Sequence, residues 1–138
     1  MPIVGFNFKK ISAEKKAQVQ NNDKIQNIIK IATVEESTIK IGSEEQKVAA
    51  ISFEFAVDYA EAGKLEFLGN IIYYDTEEVV KGLISGWKNE SKVNPQFGTM
   101  IYNFIMARCN IKALQFEDEV GLPLHLRLPR LRVSPEDK

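Results

Sequence analysis

The sequence predicts an α+β domain, a four-stranded antiparallel sheet followed by two helices and an extended C-terminal tail. Three observations carry that prediction. Apolar residues recur at every second position through Val48–Tyr74 on both sides of a tight reversal, all the helix signals fall after that stretch, and the final apolar run from Leu122 is punctuated by prolines. Strands grouped first and helices grouped last belong to segregated antiparallel architectures rather than to alternating parallel ones.

On the first arm of the central hairpin, Ala49, Ile51, Phe53, Phe55, Val57 and Tyr59 share one face, and Ser52, Glu54 and Asp58 share the other. That is the two-residue period of a strand. Ala60–Gly63 supplies the reversal, with Gly63 free to take a positive φ, and Leu65, Phe67, Ile71 and Tyr73 continue the apolar face on the return. Burying each such side chain stabilises a fold by roughly 1.5 to 3 kcal/mol, so this pair can nucleate a core. The Glu54, Asp58 and Glu66 side is expected to face water.

Upstream, Val4, Phe6 and Phe8 alternate with Gly5, Asn7 and Lys9 and mark a first strand. Ala13–Lys24 is rich in Lys, Gln and Asn without an apolar period, and both a polar strand extension and a connection fit it. Ile29 and Ile31, then Ile39 and Ile41 at the same parity, give a bent or two-part second strand with a break at Glu35, Glu36 and Ser37, and Gly42–Gln46 is a polar turn.

Downstream, Asp75 or Thr76 can cap a helix whose first turn carries Glu77 and Glu78, acids that suit the positive end of its dipole. Its stripe is Val79, Val80, Leu83, Ile84 and Trp87. Gly82 and Gly86 each cost about 1 kcal/mol relative to Ala, a cost that close packing against a neighbour can offset. Lys88–Val93 reads as a polar connection. Asn94 then caps a long helix with Pro95 in its first position, ending near Val120 because Gly121 suits a left-handed cap and Pro123 prevents resumption. The main stripe is Phe97, Met100, Ile101, Phe104, Ala107, Ile111 and Leu114; Ile105 and Cys109 widen it, which implies two apolar neighbours. From Leu122 the chain alternates Leu124, Leu126 and Leu128 with His125 and Arg127, as an extended segment on the surface or a sheet edge.

The 138 residues suit one domain spanning the chain, with residues 134–138 expected to be disordered. Hydrophobic residues at 44% and charged residues at 27% exclude wholesale disorder, and a net charge of −1 provides no global field toward nucleic acid or anionic membranes. The lone Cys109 rules out an internal disulfide, no N-terminal export signal is present, and no apolar run is long enough to span a membrane, so a cytoplasmic protein is expected.

Chemistry is sparse. The sequence holds no Gly-rich phosphate loop, no paired-cysteine metal motif and one histidine, His125, so no cofactor and no catalysis are expected. Glu54, Asp58, Glu61 and Glu66 offer a carboxylate pair to an enzyme of the glycosidase kind, but a solvated sheet face produces the same pattern. Arg127, Arg130 and Arg132, with Arg108 and Lys112, offer phosphates a patch that lacks interleaved aromatics, so nucleic acid is not an expected partner. Apolar side chains, by contrast, exceed what four strands and two helices can readily hide, and surplus apolar surface marks an interface or a groove.

The strand ending Leu68-Gly69-Asn70-Ile71-Ile72, the Asn94-Pro95 helix start, and the Leu122-Pro123 to Leu128-Pro129 segment together resemble the SecB-type protein-export chaperones. The resemblance covers Ile3–Val133 as a pattern. It implies an ATP-independent holdase that binds nonnative polypeptides in apolar, aromatic-lined grooves, for which Phe97, Ile101, Tyr102, Ile105, Tyr74 and Leu124 are the candidates. It also implies self-assembly as a dimer or dimer of dimers through Gly82, Gly86 and Trp87 of the first helix and Val4 and Phe6 of a sheet edge. An export motor ATPase is a further implied partner. The chain departs from the family in its longer final helix, in lacking an early Pro-Tyr element, and in being nearly neutral where the export chaperones are acidic. A peptide- or small-molecule-binding module without chaperone activity is the alternative reading.

Overall fold

The computed structural model describes residues 3–19 and 24–126. Strands β1 (Ile3–Lys15), β2 (Gln26–Ile41), β3 (Glu44–Asp58) and β4 (Gly63–Tyr73) form one antiparallel sheet in the order β1-β4-β3-β2, and helices α1 (Glu77–Glu90) and α2 (Pro95–Val120) follow. The fold class read from the sequence is therefore the one found. Expectations for Arg127–Lys138, including the three tail arginines and the loose terminus, lie outside the described residues.

The β3–β4 hairpin is central in the sheet, and its alternating set from Ala49 to Tyr73 is buried in register, Phe55 opposite Phe67 and Ile51 opposite Ile71. A single turn of 3₁₀ helix, Ala60–Ala62, makes the reversal. Gly63 sits at φ 153°, where an added Cβ would lie 2.1 Å from the Glu14 carbonyl oxygen, so only glycine fits against β1. Gly69 faces Phe53 across the strands, and a Cβ there would lie 2.7 Å from that ring; the aromatic covers the space glycine leaves.

Two bulges overturn simple parity arguments. In β2, pairing runs Ile31 with Phe53, then Thr33 with Ser52, leaving Ala32 extra. An extra residue exchanges the faces of all that follows. Val34 consequently joins Ile31 in the core, whereas Ile39 and Ile41 lie on the opposite face, across from Gln46 and Glu44. Of the two forms expected, the second strand takes the bent one, a continuous element with a bulge at Ala32, and the two-part form broken at Glu35–Ser37 is not found. Its turn is also tighter than expected, Gly42 and Ser43 only, with positive φ at Gly42 alone. In β1 the irregularity between Phe8 and Lys10 puts Ile11 and Ala13 opposite Phe67 and Leu65, Ala13 packing on the core and Ile11 staying 42% exposed at the sheet edge, and the strand extends to Lys15.

Both helices cover one face of the sheet, α1 against β2 and β3 and α2 across all four strands. Thr76 Oγ1 accepts from the Val79 N–H and caps α1, which runs through Glu90 because Ser91, in the left-handed region at φ 55°, donates its N–H to Trp87 O. Helix thus replaces the first half, Lys88–Glu90, of the expected Lys88–Val93 connection. Asn94 Oδ1 caps α2 by accepting from the Gln96 and Phe97 N–H groups, and Gly121 ends it at φ 79°. The buried row of α2 is Ile101, Ile105, Cys109, Ala113 and Glu117. Ala107 is exposed and Ile111 is 71% exposed, unlike the expected stripe. A row at four-residue spacing slants around the helix, and that slant suits a long helix laid over a twisted sheet.

The far face carries the cross-strand ion pairs Lys10–Glu66 and Lys30–Glu54, the Lys64–Glu66 pair within β4, and a Ser52–Asn70 hydrogen bond.

Candidate functional site

Strand β2 is an edge strand whose partner lies on one side only, so part of its backbone is open to pairing. Beside it lies a trough of about 720 Å³. Its first wall is Ile28, Ile29, Lys30 and Ile31, four consecutive residues. Consecutive residues point alternately up and down, so all four can line one trough only where the strand presents its edge. The second wall is Trp87 at the end of α1, and the third is Pro95, Gly98, Thr99 and Tyr102 on the first turns of α2. Gly98 is buried against the connection, where a Cβ would lie 3.2 Å from Val93 Cγ2. Among the described residues, the charged groups on these walls are the amines of Lys30 and Lys92.

A second groove of about 530 Å³ separates α1 from α2, lined by Val79, Gly82, Leu83, Gly86, Phe97 and Met100 with Tyr73 among them. The Tyr73 ring meets Phe97 edge to face at 4.8 Å, and its hydroxyl donates to Asp75 Oδ2 at 2.7 Å. Burial, then the Asp75 carboxylate, push the Tyr73 hydroxyl up to about 12, while hydrogen bonds from Tyr73 and the Thr76 N–H hold Asp75 below its ordinary range.

Beyond the trough on the same side of α2 lies a closed polar cluster. Glu117 is fully buried and accepts from the Tyr59 hydroxyl, from the His125 main-chain N–H at 3.1 Å and from His125 Nδ1 at 2.9 Å. The Tyr59 hydroxyl also lies 2.9 Å from the Pro123 carbonyl oxygen, and His125 Nε2 lies 2.8 Å from the Asn110 side chain. Asn110 presents oxygen or nitrogen according to whether the ring carries two protons or one. The cluster pins Leu122–Leu126 alongside α2. It has no open position for a substrate: the His125 and Glu117 side chains are 1% and 0% exposed, and no buried side-chain polar atom lacks a partner among the described residues.

The expected groove residues are dispersed. Tyr102 lines the trough and Phe97 the groove between the helices. Ile101 and Ile105 are corrections: both are fully buried against the sheet and belong to the core. Tyr74 borders a polar hollow with Gln46 and Thr76, and Leu124 lies near Val19 and Asp118 by the end of α2. Of the expected interface residues, Gly82 faces open space, Gly86 is half-buried, Trp87 lines the trough, and Val4 is 52% exposed on the β1 edge. Phe6 instead belongs to an aromatic cluster, stacked on Phe53 at 5.5 Å with the Arg108 guanidinium 5.5 Å from its ring centre.

Three of the four acidic residues weighed as catalytic pairs, Glu54, Asp58 and Glu66, have structural partners. Glu66 is held below its ordinary range by Lys10 and then Lys64, Glu54 pairs with Lys30, and Asp58 Oδ1 accepts from the Ala60 N–H. Burial pushes the Cys109 thiol up to about 12, which leaves almost no thiolate at neutral pH. Sequence reasoning missed the Ile28–Ile31 edge and the Glu117 cluster. The acid at the end of the buried Ile101–Ala113 row was the available signal for the latter.

No protein-family model and no curated protein matches the chain. A solved structure with a similar arrangement is the Mycobacterium tuberculosis SecB-like chaperone Rv1957 in complex with a ChAD peptide from the Rv1956 HigA1 antitoxin. The similarity covers 96% of this chain and 91% of that one, at 11% identity and a TM-score of 0.46.

Proposed function

We propose that the chain is an ATP-independent, non-catalytic polypeptide-binding protein of the holdase kind, acting in the cytoplasm. One observation carries the reading: an apolar trough, walled by Trp87 and Tyr102, runs along the open edge of β2. An extended client segment meets there the two things that bind unfolded chain without regard to sequence. Backbone groups at a free edge can hydrogen-bond any main chain, and an aromatic wall takes up any apolar side chain. Lys30 and Lys92 at the rim favour no acid–base chemistry on a neutral peptide. Self-association through the open Gly82 face of α1 and the β1 edge forms part of the same reading. Docking of an export motor does not, because the carboxylates Glu54 and Glu66 are already neutralised by lysines.

Light scattering of several unrelated unfolded proteins, with and without equimolar chain, tests this. Suppression of aggregation in most of them is expected, and Trp87→Ala with Tyr102→Ala should remove most of it while the circular dichroism spectrum stays unchanged. Failure to suppress any substrate would refute the proposal. Suppression of a single substrate only would support a specific peptide-binding module instead.

A further inference from the structure

We propose that Lys92 gives the polypeptide-binding site a charge preference: client segments with an acidic residue among their apolar ones are favoured, and those with a basic residue there are disfavoured. This preference deepens the proposed function and rests on it. Lys92 belongs to the short link between the helices, residues 91–94, and that link is held at both ends. Ser91 donates its N–H to Trp87 O at 2.8 Å, Val93 packs on the core beside Gly98, and Asn94 Oδ1 caps α2. The backbone at Lys92 is therefore a set point from which its amine sweeps a limited volume.

The same link is where the two apolar grooves meet. Lys92 and Val93 line both the trough along β2 and the groove between α1 and α2, and among the described residues no carboxylate lines either one. The site thus carries one sign of charge on a chain whose net charge is only −1. Lys30, the other cation of the trough, lies 3.3 Å from Glu54, which already answers its charge. Lys92 makes no ion pair among the described residues. Glu90, its nearest acid in sequence, is exposed in the last turn of α1 together with Lys88 and lines neither groove. An unanswered cation beside apolar walls acts through a lower effective dielectric than one in bulk water, so its sign discriminates among clients. A client strand added to β2 turns alternate side chains toward the helices, and that row meets Trp87, Tyr102 and Lys92. The favoured segment therefore has apolar residues at alternate positions with one Asp or Glu in the same row. A lysine or arginine in that row meets a like charge.

Trp87 is the sole tryptophan and lines the trough, so its emission in the full-length chain reports binding there. The probes are three end-capped peptides, Leu-Ser-Leu-Ser-X-Ser-Leu-Ser-Leu, in which X is Glu, Gln or Lys. Affinity should fall in that order by about fivefold per step at low salt, near the upper limit for an exposed ion pair, and the steps should shrink in 0.5 M salt. Lys92→Glu should reverse the order while leaving the Gln peptide unchanged. Lys30→Gln should alter the ratios less than twofold, because Glu54 already pairs with that amine. Equal affinity for the three peptides would overturn the preference and leave the proposed function standing. An order that survives Lys92→Glu would also overturn it, since the discriminating charge would then lie elsewhere. If none of the three binds, the preference falls, and the aggregation assay decides separately whether the proposed function falls with it.

Discussion

Replacing Glu117 with Ala should cost far more stability than removal of any surface acid in this chain. Glu117 is 0% exposed and receives three hydrogen-bond donors. After its removal the Tyr59 hydroxyl retains the Pro123 carbonyl oxygen at 2.9 Å, but the His125 main-chain N–H and Nδ1 lose their acceptor inside a dry site. Each buried donor left unsatisfied costs about 1 to 3 kcal/mol, so about 2 to 6 kcal/mol is expected for the pair. That is a large share of the roughly 5 to 15 kcal/mol typical of a whole domain, and near this chain length it lowers the melting temperature by roughly 6 to 24 °C. Thermal and urea unfolding followed by circular dichroism give the number. His125→Ala combined with Glu117→Ala should cost less than the sum of the singles by about 1 to 3 kcal/mol, because the second change removes groups the first had orphaned. A single-variant loss under about 1 kcal/mol, or additive losses, would show that the cluster does not hold the C-terminal segment in place.

Four further outcomes follow from the same coordinates. Gly69→Ala should destabilise by about 1 to 3 kcal/mol in urea, since its Cβ meets the Asn7 carbonyl oxygen at 2.5 Å as well as the Phe53 ring. The Cys109 thiol, with its pKa raised to about 12, should react with a disulfide reagent at neutral pH only as fast as the protein opens; prompt labelling would contradict its burial. Tyr73 is raised to about 12, so the stability linked to it is complete below the ordinary phenol pKa near 10 and is lost as pH rises toward 12. Tyr73→Phe should flatten that alkaline limb in urea unfolding at a series of pH values. The lowered Glu66 gives the opposite sign: its contribution is present above the ordinary carboxylate pKa and is lost as pH falls through the lower folded value. Being a half-screened surface pair, it should amount to under about 1 kcal/mol and shrink in 0.5 M salt, as comparing Glu66→Gln with the unaltered chain would show.

The elements most legible in the sequence were those whose local chemistry is self-contained. Asn94-Pro95 and Gly121 bound α2 where expected because a cap and a left-handed terminus depend only on neighbours within one turn. The β3–β4 hairpin was legible because neither strand carries a register shift in its mutual pairing, so parity in sequence remains parity in space. The change of face between Ile31 and Ile39 is not legible in the sequence, because a bulge at Ala32 leaves no compositional trace; alanine looks the same paired or extra. Ile111 looked apolar enough for the core, yet the core line on α2 is set by the sheet beneath it, which no periodicity within the helix reports.

The candidate site was less legible still, for a reason rooted in how it is built. Tyr102 was anticipated from its aromatic character, but the other wall is a run of four successive residues, Ile28–Ile31. Parity analysis sorts those four onto two faces and so cannot see that they form one surface. Their use as a wall depends on β2 being the last strand of the order β1-β4-β3-β2, a fact of long-range topology. The Glu117 cluster has the same character, since Tyr59, Asn110, Glu117 and His125 come from the end of β3, two turns of α2 and the segment beyond it.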